Sequence, residues 1–328
     1  MNFPHNHDLY VGNHWSEGLH NSPLETADVV LVLDCDVPWV KMNFKPAPNA
    51  LVYHIDCDPV KVNMSLFHID TELSCQANVG VALAQLNAYL TTEKLAPLST
   101  LVSTRTANIK ALHDTYISSI KTKEVTPSDD YLITPHYVLS LLRSLIDSNT
   151  LILSEGISNY RPIADTLQSS TPGSFFTSGA TSLGWHGGAA VGAKLAHPDK
   201  TVVAITGDGS FMFSIPSTVH WMARRYDAPF LTVIMNNRGW KSPMLSTMAV
   251  NDKGLASTLT PQQMGVSFEP PCDYAAIAVA AGAGWGATVK KASEVEAALK
   301  KGLETVRGGR AAVVDVWLPS FEVGDRVG

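Results

Sequence analysis

The chain has little of what marks several protein classes. Its 328 residues include four cysteines, Cys35, Cys57, Cys75 and Cys272, with no C-x-x-C pair. That density excludes a disulfide scaffold and makes reduced thiols in an intracellular, cytoplasmic protein the expectation. Lys and Arg form no run and the net charge is −6, so neither nucleic acid nor an anionic membrane surface is an expected partner. No stretch reaches the roughly 18 apolar residues of a membrane span. The opening MNFPHNHDLY lacks a basic region followed by an apolar one, and it is not Arg-rich, so it reads as neither a secretory signal nor a transit peptide. Gly at 23 and Pro at 19 exclude a collagen-like chain. Against these absences stands a 45% hydrophobic content. That is enough to bury a sizeable core, and the length suits about two domains.

Residues 1–22 are polar and carry His5, His7, His14 and His20. No Cys or carboxylate sits at ligand spacing, so a solvated or partner-covered loop is expected there rather than a metal site. Strands are predicted at 29–34 and 51–56. The first is continuously apolar, as in a parallel sheet buried on both faces, and the two end in Asp34 and Asp56. Residues 76–90 predict a helix with Val79, Leu83, Leu86 and Leu90 on one face, and a second helix is expected near 98–120. The polar stretch 121–130 closes an interdomain linker. The division is 1–95, a linker at 96–130, and a second domain at 131–328.

From 131 onward the pattern is regular. Thr134 and Pro135 open a helix as N-cap and first residue. Strands follow near 151–153, 201–206, 230–235 and 312–317, with helices near 187–196, from 214, and near 273–283. This alternation predicts a parallel α/β sandwich preceded by a partial doubly wound α/β domain.

Two strand ends carry unusual chemistry: Gly207-Asp208-Gly209-Ser210 and Asn236-Asn237-Arg238-Gly239. Twenty-six residues lie between Gly209 and Asn236, about one helix and one strand, so both ends can share one sheet edge. Asp208 offers a carboxylate, Asn237 a neutral oxygen, and the glycines let main chain approach a ligand. That set suits Mg²⁺, which keeps water and substrate phosphates among its ligands. Gly209 and Ser210 precede a helix, whose amino end favours phosphate. No G-x-G-x-x-G follows a strand, which argues against a nicotinamide fold.

This spacing resembles the thiamine-diphosphate motif of the acetolactate synthase, benzoylformate decarboxylase and pyruvate decarboxylase superfamily. Thr177–Trp185 with Ala189–Ala196 is similar to the family's S-G-G-L-G…A-A-I-G-A segment. Residues 27–33 and 54–59 look like the second half of its central domain. The resemblance implies Mg²⁺ ligation by the Asp208 and Asn237 side chains and the Gly239 carbonyl. It implies diphosphate contacts from Gly207, Gly209, Ser210, Ser158 and Asn159. Leu183 would wedge the cofactor and the Thr181 carbonyl would accept from its aminopyrimidine, although members often have glycine where this chain has Thr181 and Ser182. Trp185, Trp240 and Met244 could line a substrate pocket, but side chains of this kind are more often simple packing. FAD is compatible with the 56–59 stretch, but a vestigial structural domain fits half a binding surface better.

By the same resemblance the chain lacks a pyrimidine-binding domain and its activating glutamate, and Glu155 does not replace it. No catalytic residue is assigned here. The expected activity is a lyase or carboligase on 2-keto acids, working in a homo- or hetero-oligomer. Three explanations stay open: a truncated reading of a longer enzyme, a separately encoded half with a pyrimidine-domain partner, or a non-catalytic cofactor-binding or regulatory remnant. A missing amino-terminal region would leave a mitochondrial location open.

Overall fold

The computed structural model describes residues 3–13, 23–40, 44–64, 69–92, 98–178 and 182–321. It divides into two units, Val11–His113 and Met1–Tyr10 with Asp114–Val327.

The smaller unit holds α1 (Pro23–Thr26) and a parallel sheet of β1 (Val29–Leu33), β2 (Leu51–Asp56) and β3 (Leu73–Gln76) in that order. Then come α2 (Val79–Thr92) and α3 (Ser99–Lys121), within which the division falls. The sequence shows β1 and β2 but not β3, whose four residues carry one large apolar side chain, Leu73. Burial on both sheet faces is not what the structure shows. Burial alternates instead, as a one-sided sheet requires. Val32 and Val52 pack with Trp39 and Phe44, while Leu31 and Leu51 are each 43% exposed. On α2 the predicted apolar stripe is present, yet Leu83, Leu86 and Leu90 are exposed.

The larger unit alternates helix and strand. Its elements are α4 (Pro135–Leu145), β4 (Thr150–Glu155), α5 (Tyr160–Leu167), β5 (Phe175–Thr177), α6 (Trp185–Ala196), β6 (Thr201–Gly207), α7 (Asp208–Phe213) and α8 (Pro216–Arg225). There follow β7 (Leu231–Asn236), α9 (Lys241–Val250), α10 (Tyr274–Ala281), β8 (Trp285–Val289), α11 (Ala292–Arg307) and β9 (Ala312–Trp317). The sheet order is β5-β4-β6-β7-β9-β8, with every pairing parallel.

Alternate side chains serve opposite faces. Ile152, Val203, Ile205, Val233 and Val314 pack with residues of α4, α5 and α11. Leu151, Leu153, Val202 and Ala204 pack with residues of α6 and α8. Both faces are covered, which is why these strands tolerate continuous apolar sequence.

Local chemistry sets the helix starts. Thr134 accepts from the Tyr137 amide at 3.3 Å and Pro135 takes the first position, as the sequence predicts. α11 is capped from a distance: the Asp130 carbonyl and carboxylate take the amides of Ala292 at 2.6 Å and Ser293 at 2.7 Å. Glu124 pairs with Arg143 at 2.7 Å. The 121–130 stretch, read as linker, is therefore fastened to the larger unit. The described amino-terminal residues 3–10 form a loop, as expected, with residues 6–9 exposed, but the loop is anchored at His5. The His5 amide donates to the Ser169 carbonyl at 3.0 Å, and its ring stacks on Tyr10 at 4.6 Å. Those residues belong to the larger unit, not to the smaller one.

Asp315 lies within β9 and is buried. It accepts from Asn236 Nδ2 at 2.9 Å and from the Thr288 hydroxyl at 3.3 Å. Burial outweighs these bonds and raises its carboxyl from 3.8 to about 6. The folded state then holds the proton more tightly than the unfolded state. Its contribution to stability is full below pH 3.8 and is lost as pH rises to about 6. Asp315→Asn keeps the shape without the charge. We expect it to match the wild type at pH 4 and to gain up to about 3 kcal/mol at pH 8 in chemical denaturation. An unaltered difference between the two pH values would contradict this.

Candidate functional site

In this sheet order the chain leaves β4 for β5 on one side and returns to β6 on the other. The connections diverge there, and a crevice opens beyond the carboxyl ends of β4 and β6, where α/β sheets take ligands. A cavity of about 250 Å³ occupies that place. Its wall comes from four chain segments: after β4, the turn before α6, from the end of β6 into α7, and from the end of β7 onward.

Gly207, Asp208, Gly209, Ser210, Ser158, Asn159, Leu183, Asn237 and Gly239 all line this one cavity. Thr181 lies outside the described residues. α7 begins at Asp208 itself with Gly207 as its cap, so Gly209 and Ser210 stand in its first turn rather than ahead of it. Ser158 and Asn159 lie on a single 3₁₀ turn, Ile157–Asn159, between β4 and α5.

Asp208 is 3% exposed. Its Oδ1 accepts from the Gly209 amide at 2.8 Å and its Oδ2 from the Gly239 amide at 3.0 Å. Burial raises the carboxyl to about 6 in spite of these donors. Among the described residues no cationic side chain pairs with it.

The two asparagines do different work. Asn236 is fully buried: its Nδ2 donates to Asp315 and its Oδ1 accepts from the Arg238 amide at 3.0 Å. It fastens the loop to β9. Asn237 lines the cavity, and its buried Oδ1 has no hydrogen-bond partner. A buried amide oxygen left unpaired is costly. Asn237 Oδ1 and the Asp208 carboxylate are hard oxygen donors, the set that Mg²⁺ or Ca²⁺ selects. A divalent cation would satisfy both groups, so the residues present fit one.

Gly209 has a steric reason. A Cβ there would lie 2.1 Å from the Trp240 ring. That ring meets Phe213 and Phe268 edge-on, with centroids at 5.5 and 4.9 Å. Trp240 thus walls the cavity. Trp185 and Met244 do not line it: Trp185 packs beside α6 and α8, and Met244 is fully buried. The sequence reading passed over Gly156, Lys241, Ser242 and Pro243 on the same wall. Lys241 to Pro243 immediately follow the Asn-Asn segment, and that adjacency was the available signal. It also passed over the structural part played by Glu155, which only its neighbours in space reveal.

In the smaller unit, Asp34, Asp56 and Cys57 lie close together. Asp56 is already engaged by the Lys61 ammonium and the Asp58 amide, both at 2.8 Å.

Residues 156–316 match the family described as thiamine pyrophosphate enzyme, C-terminal TPP binding domain. A probable acetolactate synthase large subunit of Methanococcus aeolicus is 27% identical over 253 residues, covering 71% of this chain and 40% of that protein. The acetolactate synthase isozyme 3 large subunit of Escherichia coli is 25% identical over 338 residues, covering 98% of this chain and 53% of that protein. The chain therefore spans about half or less of the length of these relatives. The fold superposes on the thiamine diphosphate-dependent 4-hydroxybenzoylformate decarboxylase of Rhodococcus jostii with a TM-score of 0.70 at 20% identity. That match covers 97% of this chain and 54% of the other. Residues 156–316, from just after β4 into β9, thus match a thiamine pyrophosphate-binding domain, and the chain along nearly its whole length is similar to thiamine-diphosphate-dependent enzymes.

Proposed function

We propose that the cavity binds thiamine diphosphate through Mg²⁺, and that the chain is the diphosphate-binding part of an acetolactate synthase-like lyase or carboligase acting on 2-keto acids. The observation that carries this reading is the buried Asp208 carboxylate beside an Asn237 oxygen that lacks a partner. Asp208, Asn237 and the Gly239 carbonyl would hold the cation. The Gly239 carbonyl already accepts from the Lys241 amide at 3.2 Å, and its second lone pair remains for a metal. Ser158, Asn159, Gly207, Gly209 and Ser210 form the polar wall suited to the diphosphate, while Leu183 is an apolar element of the same wall.

When bound, thiamine diphosphate supplies the electron sink for cleavage or formation of a carbon–carbon bond next to a carbonyl. The chain's own residues position it and neutralise its charge. Trp240, backed by Phe213 and Phe268, keeps water from the Gly209 side. No acid or base for the reaction is assigned among these residues. Turnover therefore calls for a pyrimidine-binding region, supplied by further sequence or by a partner subunit, in a homo- or hetero-oligomer.

Calorimetry is expected to show thiamine diphosphate binding that needs Mg²⁺ and disappears with chelator. Asp208→Ala should abolish it, and unchanged affinity in that variant would refute the cation site. In Gly209→Ala the new methyl group must displace the Trp240 ring. At least tenfold weaker binding is expected in a variant whose circular dichroism is unchanged. Supplying a pyrimidine-binding domain should then give consumption of 2-keto acids. Binding without any turnover in that mixture would favour a cofactor-binding remnant.

A further inference from the structure

Glu155 ends β4 and is fully buried. One carboxylate oxygen accepts from the Gly184 amide at 2.5 Å. The other accepts from the His186 amide at 2.6 Å and from His186 Nδ1 at 2.9 Å. These amides belong to the turn that starts α6, so the carboxylate caps a helix whose Gly184 N-cap has no side chain to do so. The Thr206 hydroxyl, at the end of β6, lies 3.2 Å from the same His186 nitrogen. The turn has little room to move. Gly184 has φ +90°, and a Cβ on it would lie 2.5 Å from the Phe213 carbonyl oxygen.

Leu183 directly precedes Gly184 and stands on the cavity wall, while Gly156, next to Glu155, stands on that wall too. A single buried carboxylate therefore ties together the β4 edge, the turn bearing Leu183 and, through His186, the β6 edge. None of these contacts involves Asp208, Asn237 or the polar wall. Leu183 is apolar and suits the ring portion of a ligand, not its phosphates.

From this arrangement we infer that Glu155 is a positioning residue that fixes Leu183 against the non-phosphate part of the cofactor. The inference rests on the proposed thiamine diphosphate site. In Glu155→Gln the amide oxygen can keep the N–H bonds of one carboxylate oxygen, but the NH₂ group cannot accept those of the other, and the turn loses part of its grip.

The test compares two probes with Mg²⁺ by calorimetry on the full chain: thiamine diphosphate and inorganic pyrophosphate. Glu155→Gln is expected to weaken thiamine diphosphate tenfold or more and pyrophosphate less than threefold. Leu183→Ala, which leaves the carboxylate network intact, is expected to show the same split and serves if Glu155→Gln does not fold. A general loss of structure would lower both affinities together. Equal changes for the two probes, or no change, in the folded variants would overturn the positioning role while leaving the cavity assignment standing. Failure of the wild type to bind either probe would instead overturn the cavity assignment, and the inference with it.

Discussion

A parallel sheet delivers the carboxyl ends of all its strands to one edge, and the chemistry of the larger unit depends on that constraint. In the order β5-β4-β6-β7-β9-β8, the strands β4, β6 and β7 are neighbours, although helices separate them along the chain. Their ends bring Gly156 to Asn159, Gly207 to Ser210 and Asn237 to Gly239 to one cavity. The diverging connections at β4 and β6 keep that place free of crossing chain. The apolar runs within the strands have the same origin: helices cover both faces, so polar side chains concentrate where strands end.

Three carboxylates are buried along this sheet, and their partners sort their roles. Glu155 accepts three N–H bonds, all from one turn, and works as a helix cap. Asp315 accepts from Asn236 and Thr288 and ties neighbouring strands together. Asp208 accepts two main-chain amides but also opens onto the cavity, beside an amide oxygen with no partner. Burying charge is tolerated only when partners offset the lost hydration. For Asp208 the two amides do not suffice, as its raised carboxyl indicates. A bound cation would complete the balance.

Legibility in the sequence followed the range of the interactions. α4 was readable because Thr134, Pro135 and the apolar stripe lie within one helix. β4, β6, β7 and β9 were readable because burial on both faces writes itself as a continuous apolar run. β3, β5 and β8 were not: β3 and β5 are four and three residues long, and β8, Trp285 to Val289, mixes small and polar residues and so carries no apolar run. The cap of α11 comes from Asp130, 163 positions away from Ser293, so nothing local announces it. On α2 the periodicity was genuine, but burial of that stripe depends on what packs against it, and Leu83, Leu86 and Leu90 stay exposed.

The candidate site divides in the same way. The sequence by itself determined the donor types: a carboxylate and an amide oxygen at successive strand ends, with glycines beside them. Those follow from residue identity and from one helix-and-strand spacing. Only the tertiary structure showed why Asn237, the asparagine the motif singles out, is the one that faces the cavity. Asn236 pairs with Asp315 across β7 and β9, and this leaves the cavity wall to Asn237. The structure alone likewise made Glu155 a cap for α6, since its partners lie 29 and 31 positions further along. Residue type limits what a side chain can bind, whereas strand register and helix placement select which of those partners it meets.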